Sequence, residues 1–249
     1  MTPPKTWLIV GASRGIGYEF VKQALDRGDR VYATVRKPEA KHTASYWSQS
    51  TAVEPNQCVT LACDVLSEKS INDCVASLLQ AGCRSIDYVV VNAGVLKYPN
   101  RATEISCDDF AFHLHSNTIG PIICAQRLLQ SNLTIGSITF ISSDSGSVTQ
   151  FNAFEDGFGA YGASKAALNQ MARHMAEELK RKKSPTIILM LHPGEVDTDM
   201  GKIDDLPWEI EGGQMTAEES VRACVKTIVS KGPQDSGTFW KWNNQPHPW

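Results

Sequence analysis

Tyr161 and Lys165 stand four residues apart in Tyr-Gly-Ala-Ser-Lys, at the head of a stretch with helical periodicity. On a helix, positions i and i+4 share a face, so the phenol and the ammonium point into the same space. A free tyrosine is a poor proton donor and acceptor near neutrality, with a pKa of about 10. A neighbouring cation favours the phenolate and lowers that value, which makes the phenol usable for acid–base work. Such a pair also occurs on solvated helices, so the rest of the chain must decide its meaning.

The second chemical feature is Gly11-Ala-Ser-Arg-Gly15-Ile-Gly17, placed between an apolar strand and a helix. Glycines there allow a tight turn and let the backbone approach a pyrophosphate, which then sits at the positive end of the helix. The spacing G-x-x-x-G-x-G differs from the common G-x-G-x-x-G fingerprint, so its position carries the reading. A cofactor with two free ribose hydroxyls usually meets an acid at the end of the second strand, whereas a 2′-phosphate wants a cation. That strand ends Ala33-Thr34-Val35-Arg36-Lys37, with no acid before Glu39, and Ser13 and Arg14 add a hydroxyl and a guanidinium. The expectation is NADP(H) over NAD(H). The alternative is that Arg36 and Lys37 merely solvate a strand end.

Elements that could position these groups follow from periodicity. Short apolar runs at Trp7–Val10, Val31–Val35, Val59–Cys63, Tyr88–Val91, Ile138–Ser142, Ile187–Leu191 and Thr238–Trp240 read as strands. Helical patterns lie near Gly15–Arg27, Glu68–Gln80, Cys107–Leu129, Tyr161–Lys182 and Ala217–Ser230. Continuous runs such as Val89-Val90-Val91 suit strands covered on both faces. Strand and helix in alternation predict an α/β, doubly wound parallel sheet of the Rossmann type with helices on both faces, as one domain over residues 1–249. Lys37 to Gln57 reads as a short helix plus loop, and Met200 to Gln214 as a flap over the site or a surface loop.

Composition excludes other classes. The 249 residues are 42% hydrophobic and 20% charged, with net charge -3, which gives no sign of nucleic-acid binding. Lys180 to Lys183 reads as a helix C-terminus facing water. Seven cysteines without a C-x-x-C pair form neither a disulfide framework nor a zinc site and read as scattered small apolar side chains. No leader pattern or apolar run of about 18 residues is present, so a soluble, cytoplasmic protein without membrane contact is expected. His113 and His115 lack metal-ligand spacing, and Asp197 and Asp199 read as solvated loop acids, so no metal is expected.

Five spaced motifs then make the chain resemble the short-chain dehydrogenase/reductase family, most closely its C-factor-like carbonyl reductase branch. They are Gly11–Gly17, Asn92-Ala93-Gly94, Ile141-Ser142-Ser143, Tyr161-x-x-x-Lys165 and His192-Pro193-Gly194. The branch resemblance rests on Leu191 to Gly201 and Ser164 to Asn169, and more loosely on the Phe239 to Trp249 tail. The resemblance implies a tetrad of Asn117, Ser143, Tyr161 and Lys165. Tyr161 would be the proton donor, and Ser143 would hold the substrate oxygen. Lys165 would bind ribose hydroxyls and, with the oxidised cofactor's charge, depress the Tyr161 pKa, and Asn117 would organise a water chain. It implies a cofactor surface of Gly11, Ser13, Arg14, Gly15, Ile16, Gly17, Arg36, Asp64, Val65, Asn92, Ala93, Gly94, Tyr161, Lys165, Pro193, Gly194, Val196 and Thr198. Ser142 and Ser145 are rivals for the Ser143 role, and His192 reads as structural.

Two departures stand out. Val10 precedes the glycine loop where the family often has Thr, and Ser143 lies 18 residues from Tyr161 (161 − 143), a longer gap than is common. The extra length falls in Val148–Ala160. The resulting expectation is an NADP(H)-dependent carbonyl reductase acting on a ketone or aldehyde, or on the matching secondary alcohol. Its pocket is expected to be largely apolar, with walls from Leu96, Tyr98, Phe151, Phe154, Met200, Pro207 and Trp208. A redox-neutral isomerase, lyase or cyclase and a non-catalytic nucleotide sensor are the alternatives. The resemblance also implies a homodimer or homotetramer assembled through the long helices Cys107–Leu129 and Tyr161–Lys182, with a monomer as the alternative.

Overall fold

The computed structural model describes residues 3–38, 57–201 and 213–249. Most of the 37–57 and 200–214 segments, with Glu39, Pro207 and Trp208, lies outside the described residues. The strands are β1 (Thr6–Val10), β2 (Arg30–Val35), β3 (Cys58–Ala62), β4 (Ser85–Val91), β5 (Thr134–Ile141), β6 (Ile187–His192) and β7 (Thr238–Lys241). They form one seven-stranded parallel sheet in the order β3-β2-β1-β4-β5-β6-β7. The expected doubly wound sheet is therefore present.

Alternate residues of the central strands feed two separate cores, which explains why these strands are apolar throughout. Leu8, Val10, Val89 and Val91 face one core, with Ile71 and Leu78, Ala125 and Leu128, and Leu168 and Ala172. These come from α2 (Glu68–Gln80), α4 (Gly120–Gln130) and α5 (Gly159–Arg181). Trp7, Ile9 and Val90 face the other, with Phe20 and Ala24 of α1 (Gly15–Asp26) and Val221 and Ile228 of α6 (Ala217–Val229). Ser67 caps α2 by accepting from Ser70 N–H, and Thr216 with Glu219 forms a capping box on α6. All seven cysteines are free thiols. They are less scattered than expected, because Cys74 and Cys124 both lie within hydrogen-bonding reach of Cys63.

The helix expected over Cys107–Leu129 is interrupted. α3 (Cys107–Leu114) passes into a π-helical turn at His115–Ile119 before α4 begins. Gly120 N–H donates to the His115 carbonyl, five residues back. Pro121 has no N–H to give the Asn117 carbonyl, so the ordinary four-residue bond cannot close there. Gly120 also presses on the neighbouring chain: a Cβ would come within 2.3 Å of the Val65 carbonyl oxygen. The break thus sits under β3's exit and turns Asn117 inward.

At the amino end of the sheet Asp29, 4% exposed, ties β1 to β2. Its carboxylate accepts from Lys5 N–H at 2.9 Å and Trp7 Nε1 at 2.9 Å, and pairs with Arg27 at 2.8 Å. Asp29→Ala leaves those donors without an acceptor and is expected to cost about 2–4 kcal/mol. Urea denaturation reads this directly, and a loss below about 1 kcal/mol would show that the tie is not needed.

Candidate active site

The sheet order reverses between β1 and β4, whose first connections leave in opposite directions; a crevice opens there at the carboxyl ends of the strands. Gly11–Gly17 runs along one side of it. Gly11 takes φ +87°, and a Cβ there would meet Ala93 at 2.8 Å. At Gly17 a Cβ would lie 2.1 Å from the Gly11 carbonyl oxygen. Asn92 Nδ2 donates to that same oxygen at 2.8 Å, so the loop is folded tightly against the β4 exit. The hydroxyl absent at Val10 is supplied by the adjacent strand: Gly11 N–H donates to Thr34 Oγ1 at 3.2 Å.

Beyond the turn, Ser13 and Arg14 are exposed. Arg14 stands at the N-cap of α1 without a side-chain cap, and no acid occupies the first helical turn. Its guanidinium pairs with Asp199 at 3.2 Å, both side chains being about two-thirds exposed (68% and 69%), a contact too solvated to hold it strongly. The helix end therefore presents free N–H groups and a releasable cation, the donor set an anionic pyrophosphate needs. Gly15 lies against Thr198, with 3.3 Å from an added Cβ to Thr198 Cγ2. Arg36 is exposed at the end of β2, and Asp64 and Val65 follow β3. Asp64 Oδ1 accepts from Leu66 N–H at 3.0 Å.

The catalytic candidates converge next to this cradle. Lys165 is only 4% exposed, and its Nζ donates to the Ile141 carbonyl at 2.9 Å. The same nitrogen lies 5.6 Å from the Tyr161 ring centre. A Cβ on Gly94 would be 3.1 Å from Asn117 Oδ1 and 3.5 Å from Lys165 Nζ, so glycine keeps this floor open. Asn117 clamps the β4 exit to α5: Oδ1 accepts from Val95 N–H at 2.7 Å, and Nδ2 donates to the Val95 carbonyl and to Ser164 Oγ, both at 2.9 Å. Ser164 Oγ donates in turn to the Tyr161 carbonyl at 2.7 Å.

Among the three serines, Ser142 borders the cavity but its hydroxyl is engaged elsewhere, donating to Asn169 Oδ1 at 2.6 Å. Ser143 hydrogen-bonds the Tyr161 side chain. It also donates to Asp144 Oδ1 at 3.1 Å and contacts Ser145 Oγ at 3.3 Å. Ser143, Tyr161, Ile16, Pro193, Gly194, Val196 and Thr198 line one cavity of about 440 Å³. Gly194, at φ +85°, lies under Met215 and Trp242, leaving no room for a Cβ.

The apolar wall differs in part from expectation. Leu96, Phe154 and Met200 line the cavity, joined by Phe158. Phe151 is 77% exposed and does not line it, and Tyr98 instead packs on Phe158 with ring centres 5.5 Å apart. Sequence reading missed three carboxylates on the same wall, Asp144, Glu155 and Glu195. The local signals were slight: an acid directly after Ser143, one in the Val148–Ala160 stretch, and one directly after His-Pro-Gly. His192 Nδ1 accepts from Asp144 N–H at 3.1 Å, and burial pulls its pKa down to about 4, so the ring is neutral near pH 7. Burial, with the charges of Asp144 and Glu155, pushes Glu195 up to about 7.

A family profile described as short chain dehydrogenase matches residues 5–205. The chain belongs to that family. This short-chain dehydrogenase is 32% identical over 254 residues to an uncharacterised oxidoreductase of Schizosaccharomyces pombe, covering 97% of each chain. Its fold matches an NADPH-bound carbonyl reductase from chicken fatty liver at a TM-score of 0.86, with 26% identity and 99% of both chains covered. It also matches a carbonyl reductase of Pseudomonas aeruginosa PAO1 in complex with NADP at a TM-score of 0.77, with 27% identity over 98% of this chain and all of that one (100%). Among the described residues of the dehydrogenase, no helix is long and apolar enough to cross a membrane.

In the protein alone, without a cofactor's charge, burial dominates the phenol. Burial raises the Tyr161 pKa above its ordinary value; Asp144, Glu195 and Glu155 push the same way, and only the Ser143 hydrogen bond opposes them. Lys165 does not offset this, because its ammonium is engaged with the Ile141 carbonyl and is itself destabilised by burial, down to about 8. The unfolded chain keeps the lysine proton up to about 10.5, the folded one only up to about 8. Between those values the folded protein therefore gains stability as pH rises, and below pH 8 it carries the full penalty of a buried cation. Lys165→Met is expected to be about 2–3 kcal/mol more stable than the parent at pH 7. Chemical denaturation at stepped pH should show that margin shrinking above pH 8; a margin independent of pH would contradict the assignment.

Proposed function

We propose that this dehydrogenase is an NADP(H)-dependent carbonyl reductase, reducing a ketone or aldehyde or oxidising the matching secondary alcohol. The observation that carries the reading is the placement of Tyr161 and Ser143 in the same cavity as Ile16, Pro193, Gly194 and Thr198, with Thr198 against Gly15 of the glycine cradle. That cradle fits a dinucleotide: it is closed to a Cβ at Gly11 and Gly17, open at the α1 N-terminus, and flanked by Arg14 and Arg36. The NADPH and NADP found in the chicken and Pseudomonas carbonyl reductases support the same choice.

The nicotinamide supplies or accepts the hydride when bound. The glycine loop, with Asn92, Ala93 and Gly94 opposite, would seat the pyrophosphate and adenosine, and Asp64 and Val65 would border the adenine. Arg36 would meet the 2′-phosphate. Pro193, Gly194, Val196 and Thr198 would hold the carboxamide end. Lys165, largely protonated near neutrality, would hold ribose hydroxyls from below and favour the phenolate once the oxidised cofactor adds its charge.

In the reducing direction the carbonyl oxygen would accept from Tyr161 and Ser143. Ser143 would stabilise the developing alkoxide while the phenol gives up its proton to it. The net reaction takes one hydride and one proton to the alcohol. Asn117, whose carbonyl lacks its helical donor, would support the water that returns the proton. The phenol's raised pKa suits a donor that must keep its proton until charge develops on the substrate. Leu96, Phe154, Phe158 and Met200 suit a hydrophobic body on that substrate.

Tyr161→Phe is expected to lower kcat for carbonyl reduction by at least about a hundredfold while NADPH fluorescence titration still shows binding. Unchanged turnover across a carbonyl panel would refute the role. Arg36→Ala is expected to raise the KM for NADPH roughly tenfold with little change for NADH, the loss of one charge-assisted contact. Equal effects on both cofactors would remove the 2′-phosphate assignment.

A further inference from the structure

The catalytic cavity carries three carboxylates that reduction of a neutral ketone does not require. Asn152 Nδ2 donates both to Asp144 Oδ2 at 3.2 Å and to Glu155 Oε1 at 3.0 Å, so one neutral amide holds two acids side by side. Carboxylate oxygens of Asp144 and Glu195 lie within 4.8 Å of each other and of a His192 ring nitrogen. Among the described residues no lysine or arginine pairs with Asp144, Glu155 or Glu195. His192 does not compensate, because its Nδ1 accepts the Asp144 N–H and so carries no proton there. Like charges this close in a partly desolvated wall repel, and either a proton taken up by Glu195 or a cation from outside relieves them.

A second, independent feature of the cavity points to the form of that cation. Phe154, Phe158 and Tyr161 line the same space as the acids, and Phe154 is 60% exposed at its mouth. Aromatic faces beside carboxylates are the surroundings in which substituted ammonium groups bind, through cation–π attraction and apolar contact with the carbons on nitrogen. A bare divalent ion would gain nothing from the rings. It would also need a ring nitrogen whose nearer lone pair, at Nδ1, is already engaged with the Asp144 N–H.

We propose that this pocket selects carbonyl substrates bearing a protonated amine, the wall of Asp144, Glu155 and Glu195 holding the ammonium while Tyr161 and Ser143 receive the oxygen. The proposal rests on the carbonyl reductase reading and narrows it: the body of the substrate is apolar or aromatic, and its head is cationic.

The test compares dimethylaminopropyl phenyl ketone with its uncharged isostere, in which carbon replaces the nitrogen. The parent is expected to favour the cationic ketone in kcat/KM by about tenfold or more, one charge-assisted contact's worth. In Glu195→Gln and in Glu155→Gln, each measured as the ratio of the two ketones within one preparation, that preference should fall severalfold. Calorimetric titration of both ketones into NADP⁺-loaded protein separates the two readings. Tighter binding of the cationic ketone, weakened in Glu195→Gln but with neither ketone turned over, keeps the acid wall and removes the reductase reading. Equal or better use and binding of the neutral ketone, or no binding of the cationic one, overturns the proposal. So does tight, Glu195-dependent binding of manganese(II) chloride alone without any preference between the ketones, which would make the wall a metal site.

Discussion

A single buried ammonium governs the architecture of the active end. Lys165 is 4% exposed and has one backbone carbonyl, that of Ile141 at the end of β5, as its hydrogen-bond partner. A cation in that position is costly unless something else shares its charge. The fold tolerates it because α5 is anchored elsewhere: Leu168, Ala172 and Ala176 are buried against the sheet, and Asn117 and Thr118 bond Ser164 in the preceding turn. Stability on the apolar side of the helix sustains a destabilised group on its polar side, the exchange expected where chemistry is done.

The surrounding charges divide the pocket in two. Beside the Tyr161 ring lies the Lys165 ammonium; elsewhere around the cavity lie three acids with no lysine or arginine partner among the described residues. With no other charge present, burial and the acids keep the phenol protonated. A bound oxidised nicotinamide and a bound substrate cation would each shift that balance toward the phenolate, since both bring positive charge near the ring.

Much of this was legible in the residues. The seven strands and the main helices match their periodic signals to within a few residues, because continuous apolar runs and 3.6-residue patterns report burial directly. The glycine loop was legible because Gly11 and Gly17 are demanded by backbone contacts that no side chain survives. The long helix at Cys107–Leu129 was not read correctly. Its apolar period runs on through a π-helical turn, and the break comes from Pro121 and from the contact of Gly120 with Val65, 55 residues away (120 − 65). The acid wall was missed for a similar reason: Asp144 and Glu155 stand far apart in the connection from β5 to α5, Glu195 follows β6, and the three meet only around the cavity.

The amino-acid sequence by itself determined the elements, their parallel order of burial, the glycine turn and the i, i+4 placement of Tyr161 and Lys165, since each depends on local backbone geometry or on the period of apolar side chains. Tertiary structure alone decided which serine faces the phenol and that Asn117 locks the β4 exit to α5. It also decided that the phenol is pushed up rather than down in the protein alone. Those outcomes depend on distances between distant segments and on how far each charge is removed from water, and neither quantity is written in residue spacing.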